Sequence, residues 1–264
     1  MLCRLNIIFD LDETFVGRAS VDNGEHKLIP PEAYRKLTTF DNKFSVEGEG
    51  MFHYKMFLRP YFDQKFLDFV FKNFNVGVIT AGIYNYAKTI VKEVLLKDPE
   101  RKLAFFYARE NFRQQDYNLE GLKNLDYIFK IVRPLGFEKC NTIMFDDNFD
   151  VHQTNRFNVI RVPAWEVLIR DDNNKLVYNK DCLRDTVFVT ARKILEYFLD
   201  QVDTSLCTVE NNFVPCKDKD EPFMVGKKPP KHFSQMEHHH MRATWVYDEE
   251  TDSDSDTDSD SDDE

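Results

Sequence analysis

The sequence predicts an α/β fold: a Rossmann-like parallel sheet with helices on both faces. Three observations predict it. Short, nearly unbroken apolar runs recur at Leu5–Phe9, Val76–Ile79, Thr142–Phe145 and Val159–Val162. Runs of this length without polar alternation read as strands buried on both faces. The segments between them carry apolar residues three and four apart, the spacing of an amphipathic helix. Strand and helix patterns alternate along the chain, as in a parallel sheet built from crossover units.

The elements follow in order. Leu5–Phe9 is a strand that ends in acids. Gly17 to Gly50 is polar, with turn signals at Asn23-Gly24 and Gly48-Glu49-Gly50. It predicts a small flap of hairpins and loops, inserted at about residues 15–57, and no large cap domain. Pro60 opens a helical pattern in Phe62, Phe66, Phe69, Val70 and Phe74. Ile83 to Lys97 is a second helix, stopped before Pro99. Leu122, Leu125, Ile128, Phe129 and Val132 mark a third, ended by Pro134, and Thr186 to Leu199 a last one. The periodicity fades after about residue 205. The expected division is a catalytic body over 1–205, a partly ordered extension over 206–247 and a disordered Asp/Ser tail over 248–264.

Charge separates the tail from the body. The chain of 264 residues has 35 Lys+Arg and 46 Asp+Glu, a formal net charge of -11. The last 17 residues hold eleven acids and no base, so the rest balances at 35 and 35. A neutral body without a dense basic stripe argues against direct nucleic-acid binding. No apolar run approaches the ~18 residues of a membrane span. The apolar stretch at the N-terminus is too short for a signal peptide. The five cysteines are scattered, with no C-x-x-C pair, which argues against a thiolate zinc site and for a reducing intracellular setting, cytoplasm or nucleus.

Chemistry gathers where the strands end. The first ends in Asp10-Leu11-Asp12-Glu13-Thr14, the second in Thr80-Ala81-Gly82, the third in Asp146-Asp147-Asn148. Ligands of open parallel sheets bind beyond the carboxyl ends of strands. If these strands are neighbours, four carboxylates and a hydroxyl share one crevice. Such a cluster requires a cation, and hard oxygen ligands suit Mg²⁺. Asp10 and Asp12, two apart, would face the same side in extended chain. Asp10 then serves as a carboxylate nucleophile toward phosphorus, and Asp12 as the acid that protonates the leaving oxygen.

These residues resemble a known family. Phe9-Asp10-Leu11-Asp12-Glu13-Thr14 is similar to the D-x-D-x-T signature of the haloacid dehalogenase (HAD) superfamily, in the D-L-D-E-T form of its FCP/SCP-like branch (RNA polymerase II C-terminal-domain-type, NLI-interacting-factor-like phosphatases). Leu58-Arg59-Pro60 resembles the branch's x-R-P. Thr80-Ala81-Gly82-Ile83-Tyr84-Asn85-Tyr86-Ala87 resembles its T-A-S-x-x-x-Y-A. Arg109-Glu110, Lys123-Asn124-Leu125 and Asp146-Asp147-Asn148 resemble its R-E, K-D-L and D-D/N-S. Several motifs in order, each on its expected element, are far more specific than one pentapeptide.

The resemblance implies an Mg²⁺-dependent phosphoserine/phosphothreonine protein phosphatase acting through an aspartyl-phosphate. It implies Asp10 as nucleophile and metal ligand. Asp12 is implied as general acid/base and as a ligand through its backbone carbonyl. Thr14 and Arg109 orient loops and substrate, Thr80 binds the phosphoryl group, Lys123 neutralises the phosphoaspartate, and Asp146 with Asp147 completes the metal site. Gly82 stands where the branch has serine and Asn124 where it has aspartate; neither removes a catalytic group. No BRCT-like segment follows the core. Two rival readings stay open: a nucleic-acid 3′-phosphatase or small-molecule phosphatase, and a non-catalytic scaffold on the same fold. Phe-, Asn- and Lys-rich usage would suit an AT-rich genome, such as that of a large DNA virus.

Each motif also has a plainer reading. Asp10 and Asp12 alone could cap a turn. Lys123 alone reads as a solvated helix lysine, with Lys139 as the alternative. Glu237-His238-His239-His240 reads as a solvated loop, because consecutive histidines cannot all face one ion in regular structure. Lys227-Lys228-Pro229-Pro230-Lys231 reads as linker. The tail reads as a solubilising segment, as a ligand for a basic partner, or as a regulatory stretch in which Ser253, Ser255, Thr257, Ser259 and Ser261 suit acidophilic kinases.

Overall fold

Leu5–Phe9 forms the first strand, β1, and all five residues are buried. The computed structural model describes residues 5–111, 123, 125–138, 141–154, 158–201 and 242–243. After β1 come β2 (Val16–Ser20), α1 (Pro31–Lys36), β3 (Thr39–Val46), β4 (Gly50–Leu58), α2 (Gln64–Asn73), β5 (Phe74–Ile79), α3 (Tyr84–Ile90), β6 (Phe105–Tyr107) and α4 (Leu125–Val132). The chain continues through β7 (Thr142–Asp146), α5 (Phe149–Thr154), β8 (Val159–Arg161), β9 (Leu168–Arg170), β10 (Leu176–Tyr178), α6 (Val187–Gln201) and β11 (Arg242–Ala243).

The main sheet has six strands in the order β11-β8-β7-β1-β5-β6. β6, β5, β1, β7 and β8 run parallel; β11 pairs antiparallel with β8. β1 lies between β5 and β7, with Phe9 opposite Val78 on one side and Phe145 on the other. The strands expected to be neighbours are therefore neighbours, and their carboxyl ends open on one crevice.

The absence of polar alternation in these strands has a direct cause: both faces are covered. Ile7, Phe9, Val76, Val78, Ile143 and Phe145 face one side, against Leu67 and Val70 of α2, Ile90 of α3 and Ile194 of α6. Ile8, Ile79 and Met144 face the other, against Ile128, Phe129 and Val132 of α4 and Val151 of α5. Each fully buried aliphatic or aromatic side chain here contributes roughly 1.5–3 kcal/mol by leaving water.

Gly77 shows how tightly the second face is filled. It pairs with Phe105 of β6, and a Cβ on it would lie 2.2 Å from Phe105 Cζ. A side chain there must displace an aromatic ring that is itself packed on Phe137. Gly77→Val is expected to lower unfolding stability by about 2–3 kcal/mol through overpacking. Urea denaturation measures it, and a change below about 0.5 kcal/mol would mean that this edge repacks freely.

The flap is a second sheet, antiparallel, in the order β2-β4-β3. It carries the short helix α1, a helix that the turn-rich composition did not predict. Ala19, Ile29, Ala33 and Phe57 of this unit pack with Trp165, Val167 and Leu168 into a separate small core. β9 and β10 form a hairpin at its edge.

Some boundaries differ from expectation. The helix expected from Pro60 starts at Gln64, with Asp63 as its N-cap: the carboxylate accepts Phe66 N–H at 3.0 Å. Arg59 to Phe62 is instead a turn, with Phe62 N–H on Arg59 O and Tyr61 in the left-handed region at φ 63°. Phe74, though in helical register, is the first residue of β5. The helix expected over Ile83–Lys97 is α-helical only to Ile90 and widens into a π-turn over Val91–Leu95. Lys123 precedes α4 instead of riding on it. Leu122, Asn124, Lys139, the histidine run, the lysine–proline stretch and the acidic tail lie outside the described residues. Among the described residues, no helix is long and apolar enough to cross a membrane.

Candidate active site

Asp10 is the first residue past β1, and its N–H still donates to Phe145 O at 3.0 Å. The ladder thus fixes its backbone between β5 and β7. The chain then coils tightly: Thr14 N–H donates to Asp12 O at 2.6 Å and Phe15 N–H to Leu11 O at 3.2 Å, with Glu13 at φ 57°. Leu11 and Phe15 are fully buried, and Phe15 stacks on Phe62 at 4.0 Å. Apolar anchors on either side of Asp12 therefore hold the polar residues at the mouth.

Arg59 ties this loop to the rest of the fold. It is only 2% exposed. Its Nη1 donates to Thr14 O at 2.8 Å and Pro163 O at 2.9 Å, and its Nη2 to Asp185 Oδ2 at 2.8 Å. Asp185 also accepts Val187 N–H at the start of α6. Trp165 N–H donates to Glu13 O at 2.7 Å. The arginine of the x-R-P motif is thus a buried strut under the Asp10–Thr14 loop.

Three carboxylates meet here. Asp10, Asp146 and Asp147 each offer an oxygen, and these oxygens all lie within 4.8 Å of one another. Lys123 Nζ donates to Asp10 Oδ1 at 2.5 Å and to Asp146 Oδ2 at 2.6 Å. Thr14 Oγ1 lies 3.1 Å from Asp10 Oδ2 and 3.2 Å from Asp147 Oδ1, so one hydroxyl proton serves two acids. Asp146 Oδ1 accepts Asn148 N–H at 2.9 Å.

The electrostatics match this crowding. Burial pushes the Asp10 carboxyl well above the usual range; Lys123 opposes this, and Asp146 and Asp147 add to it. Asp147 is pushed up to about 6, by burial and then by Asp146. Burial alone would lower the Lys123 ammonium, but Asp10 and Asp146 override it and hold it above its ordinary value. Fully ionised, one lysine against three acids leaves a formal surplus of two negative charges, and this repulsion adds to burial in pushing the carboxyls up. That surplus and the all-oxygen donor set fit a divalent hard cation such as Mg²⁺.

Asp12 points to a different set of partners. Its Oδ1 accepts the Tyr86 hydroxyl of α3. Burial raises its pKa, while Tyr86, Arg18, Lys123 and Arg109 lower it. Thr80 caps β5, with its N–H on Tyr107 O at 3.0 Å, and its Oγ1 accepts Gly82 N–H at 3.0 Å. A Cβ on Gly82 would lie 3.2 Å from Thr80 Oγ1 and 3.3 Å from Asp12 Oδ2. Glycine here keeps space open beside both. Arg109 clamps the same loop: Nε donates to Ala81 O at 2.8 Å and its backbone N–H to Gly82 O at 2.9 Å. Glu110 accepts Tyr84 N–H at 2.8 and 2.9 Å, capping α3.

The structure thus brings Asp10, Thr14, Lys123, Asp146 and Asp147 into one contact network, with Asp12 and Thr80 beside it and Arg109 one layer back. Three features had no role in the sequence reading: Tyr86 as the partner of Asp12, Arg18 beside them, and Arg59 as the strut. Tyr86 and Arg59 stand inside quoted motifs. Arg18 lies in a polar strand without any signature.

A parallel sheet with an acidic cluster beyond the carboxyl ends of its central strands is the arrangement that the haloacid dehalogenase resemblance implies. The chain belongs to the NLI interacting factor-like phosphatase family, whose sequence model matches residues 5–191. Among curated proteins, it is 32% identical over 186 residues to the CTD phosphatase-like protein 355R of Invertebrate iridescent virus 6, covering 67% of this chain and 96% of that protein. It is 33% identical over 198 residues to the CTD phosphatase-like protein 355R of Invertebrate iridescent virus 3, covering 73% and 95%. Two solved structures are more distant. Fcp1, described as an essential RNA polymerase II CTD phosphatase, is 20% identical with a TM-score of 0.47. A fission yeast Fcp1 variant bound to beryllium fluoride is 22% identical with a TM-score of 0.45. Each of these covers 80% of this chain, which spans 58% of that structure's chain.

Proposed function

We propose that this phosphatase is Mg²⁺-dependent and dephosphorylates phosphoserine or phosphothreonine in proteins through an aspartyl-phosphate on Asp10. The observation that carries the reading is the Asp10 carboxylate itself. It sits at the end of the central strand, bonded to Lys123 and Thr14, inside an acidic cluster with a surplus of negative charge. Asp10, Asp146, Asp147 and the backbone carbonyl of Asp12 would hold Mg²⁺, which when bound offsets the repulsion between an anionic nucleophile and an anionic phosphate.

The chain's own groups supply the remaining steps. An Asp10 oxygen attacks phosphorus, and the ester P–O bond breaks with its electron pair on the leaving oxygen. Asp12 delivers the proton that this oxygen needs. Thr80 accepts Gly82 N–H and so keeps its own hydroxyl proton for a phosphoryl oxygen. Arg109 holds that loop in register. Lys123 stays charged and bonds the aspartyl group while it carries phosphate. Water then attacks the phosphorus, Asp12 takes its proton, and Asp10 leaves as a carboxylate.

A macromolecular substrate is favoured by the small lid. The flap is three strands, one short α-helix and a 3₁₀ turn at Glu25–Leu28, and Asp12 and Gly82 retain partial exposure at the mouth. The relatives' description as CTD phosphatase-like agrees with a polymerase-tail-like phosphoprotein; a basic phosphoprotein is the alternative that the acidic tail would favour. The buried free thiol of Cys182 is compatible with a reducing compartment.

Turnover of phosphoserine peptides, nucleoside 3′-phosphates and sugar phosphates should be compared on the purified protein. Peptides are expected to lead in kcat/KM by about tenfold or more. EDTA is expected to abolish the activity and Mg²⁺ to restore it. Faster turnover of nucleotides would overturn the substrate class, and EDTA-resistant turnover would overturn the metal.

A further inference from the structure

We infer that Tyr86 is a positioning residue for catalysis: its hydroxyl holds the Asp12 carboxylate toward the leaving group, and the flap sheet holds Tyr86. The inference rests on the reading of Asp12 as general acid.

Tyr86 is 2% exposed, yet its hydroxyl reaches one oxygen of Asp12 at the crevice mouth. A buried phenol donates one proton and can rotate only that, so it fixes the acceptor oxygen and leaves the other free for chemistry. Asp12 needs such a constraint. Its neighbours Leu11 and Phe15 anchor the backbone, but among the described residues the carboxylate's one side-chain hydrogen bond is the one from Tyr86.

Tyr86 is fixed from the flap side. Asn42 Nδ2 of β3 donates to Tyr86 O at 3.0 Å, and Asn42 is fully buried. Phe44 of β3 and Tyr54 of β4 meet the Tyr86 ring edge-on, at 5.3 and 6.4 Å between centroids. Arg18 of β2 rests its guanidinium 5.3 Å from the Tyr54 ring and 5.6 Å from the Tyr86 ring, closing the stack from the solvent side. All three flap strands thus contribute to one aromatic wedge whose tip is the hydroxyl on Asp12. This gives the insertion a second duty besides shaping the entrance: it sets the orientation of the acid.

The consequence is specific. A misplaced acid harms departure of a basic oxygen and spares departure of a stable anion. The test compares kcat/KM of native protein, Tyr86→Phe and Asp12→Asn, with Mg²⁺, on p-nitrophenyl phosphate, phenyl phosphate and a phosphoserine peptide. Tyr86→Phe keeps the ring and its packing, and a thermal melt checks that the fold is retained. It is expected to lose about tenfold on the peptide and on phenyl phosphate, and less than about threefold on p-nitrophenyl phosphate. An equal loss on all three substrates, or none on any, overturns the inference. If Asp12→Asn itself shows no dependence on the leaving group, the general-acid reading has failed and takes the inference with it. If Asp12→Asn shows the dependence and Tyr86→Phe does not, only the inference has failed.

Discussion

Asp10→Asn is expected to lower turnover of p-nitrophenyl phosphate by at least about four orders of magnitude, since removing the covalent nucleophile of a hydrolase costs up to about six. The amide has nearly the size of the carboxylate, so the loop between β1 and β2 keeps its anchors at Leu11, Phe15 and Arg59. What it loses is the nucleophile, because an amide oxygen carries no full charge to form a P–O bond. The fold should not suffer. Burial, Asp146 and Asp147 all disfavour a charged Asp10, and only Lys123 opposes them strongly. A neutral side chain relieves repulsion at the cost of one charged contact, so the melting temperature is expected to stay the same or rise. Steady-state rates on p-nitrophenyl phosphate and a thermal melt on one preparation give both answers. A folded variant that keeps more than about one hundredth of native activity would remove Asp10 from the nucleophile's role.

Lys123→Met is expected to damage stability and rate together. Lys123 is 6% exposed, and its ammonium bridges Asp10 at 2.5 Å and Asp146 at 2.6 Å. Removing one partner of a buried ion pair leaves uncompensated charge and typically costs about 3–5 kcal/mol. Two acids lose their partner here, in a site that already holds a third. In EDTA, the midpoint of urea unfolding is therefore expected to fall sharply. Adding Mg²⁺ should recover part of the loss, since a cation that binds only the folded protein stabilises it by mass action. Rates at saturating Mg²⁺ should still fall about a hundredfold, because a preorganised charge at the reacting centre is gone. An unchanged unfolding midpoint in EDTA would mean that the acids relax apart at little cost, and the surplus-charge argument for a divalent cation would weaken with it.

The legible part of this protein was whatever depends on local pattern. Short apolar runs with no alternation read as strands covered on both faces, and the helical spacing between them pointed to a parallel order. The acids after β1 and β7 and the threonine after β5 stood at strand ends, where a parallel sheet places its ligands. Asp10, Asp12, Thr80, Asp146 and Asp147 could be named as candidates for that reason, and Lys123 and Arg109 through the family resemblance.

Other features depend on contacts between segments far apart in the chain, which periodicity does not encode. β6 is three residues long, too short to show a pattern, and is a strand because β5 offers it a ladder. The turn at Arg59–Phe62 interrupts a helical register because the buried guanidinium must reach Thr14 O, Pro163 O and Asp185 at once. The partnership of Tyr86 with Asp12 joins residues 74 apart in sequence. Local chemistry could place each reactive group at a strand end. Which oxygen each one bonds, and which element keeps it aimed, was decided only by the tertiary structure, because a hydrogen bond or an ion pair is specific over a few ångströms and the chain brings those ångströms together only in the folded state.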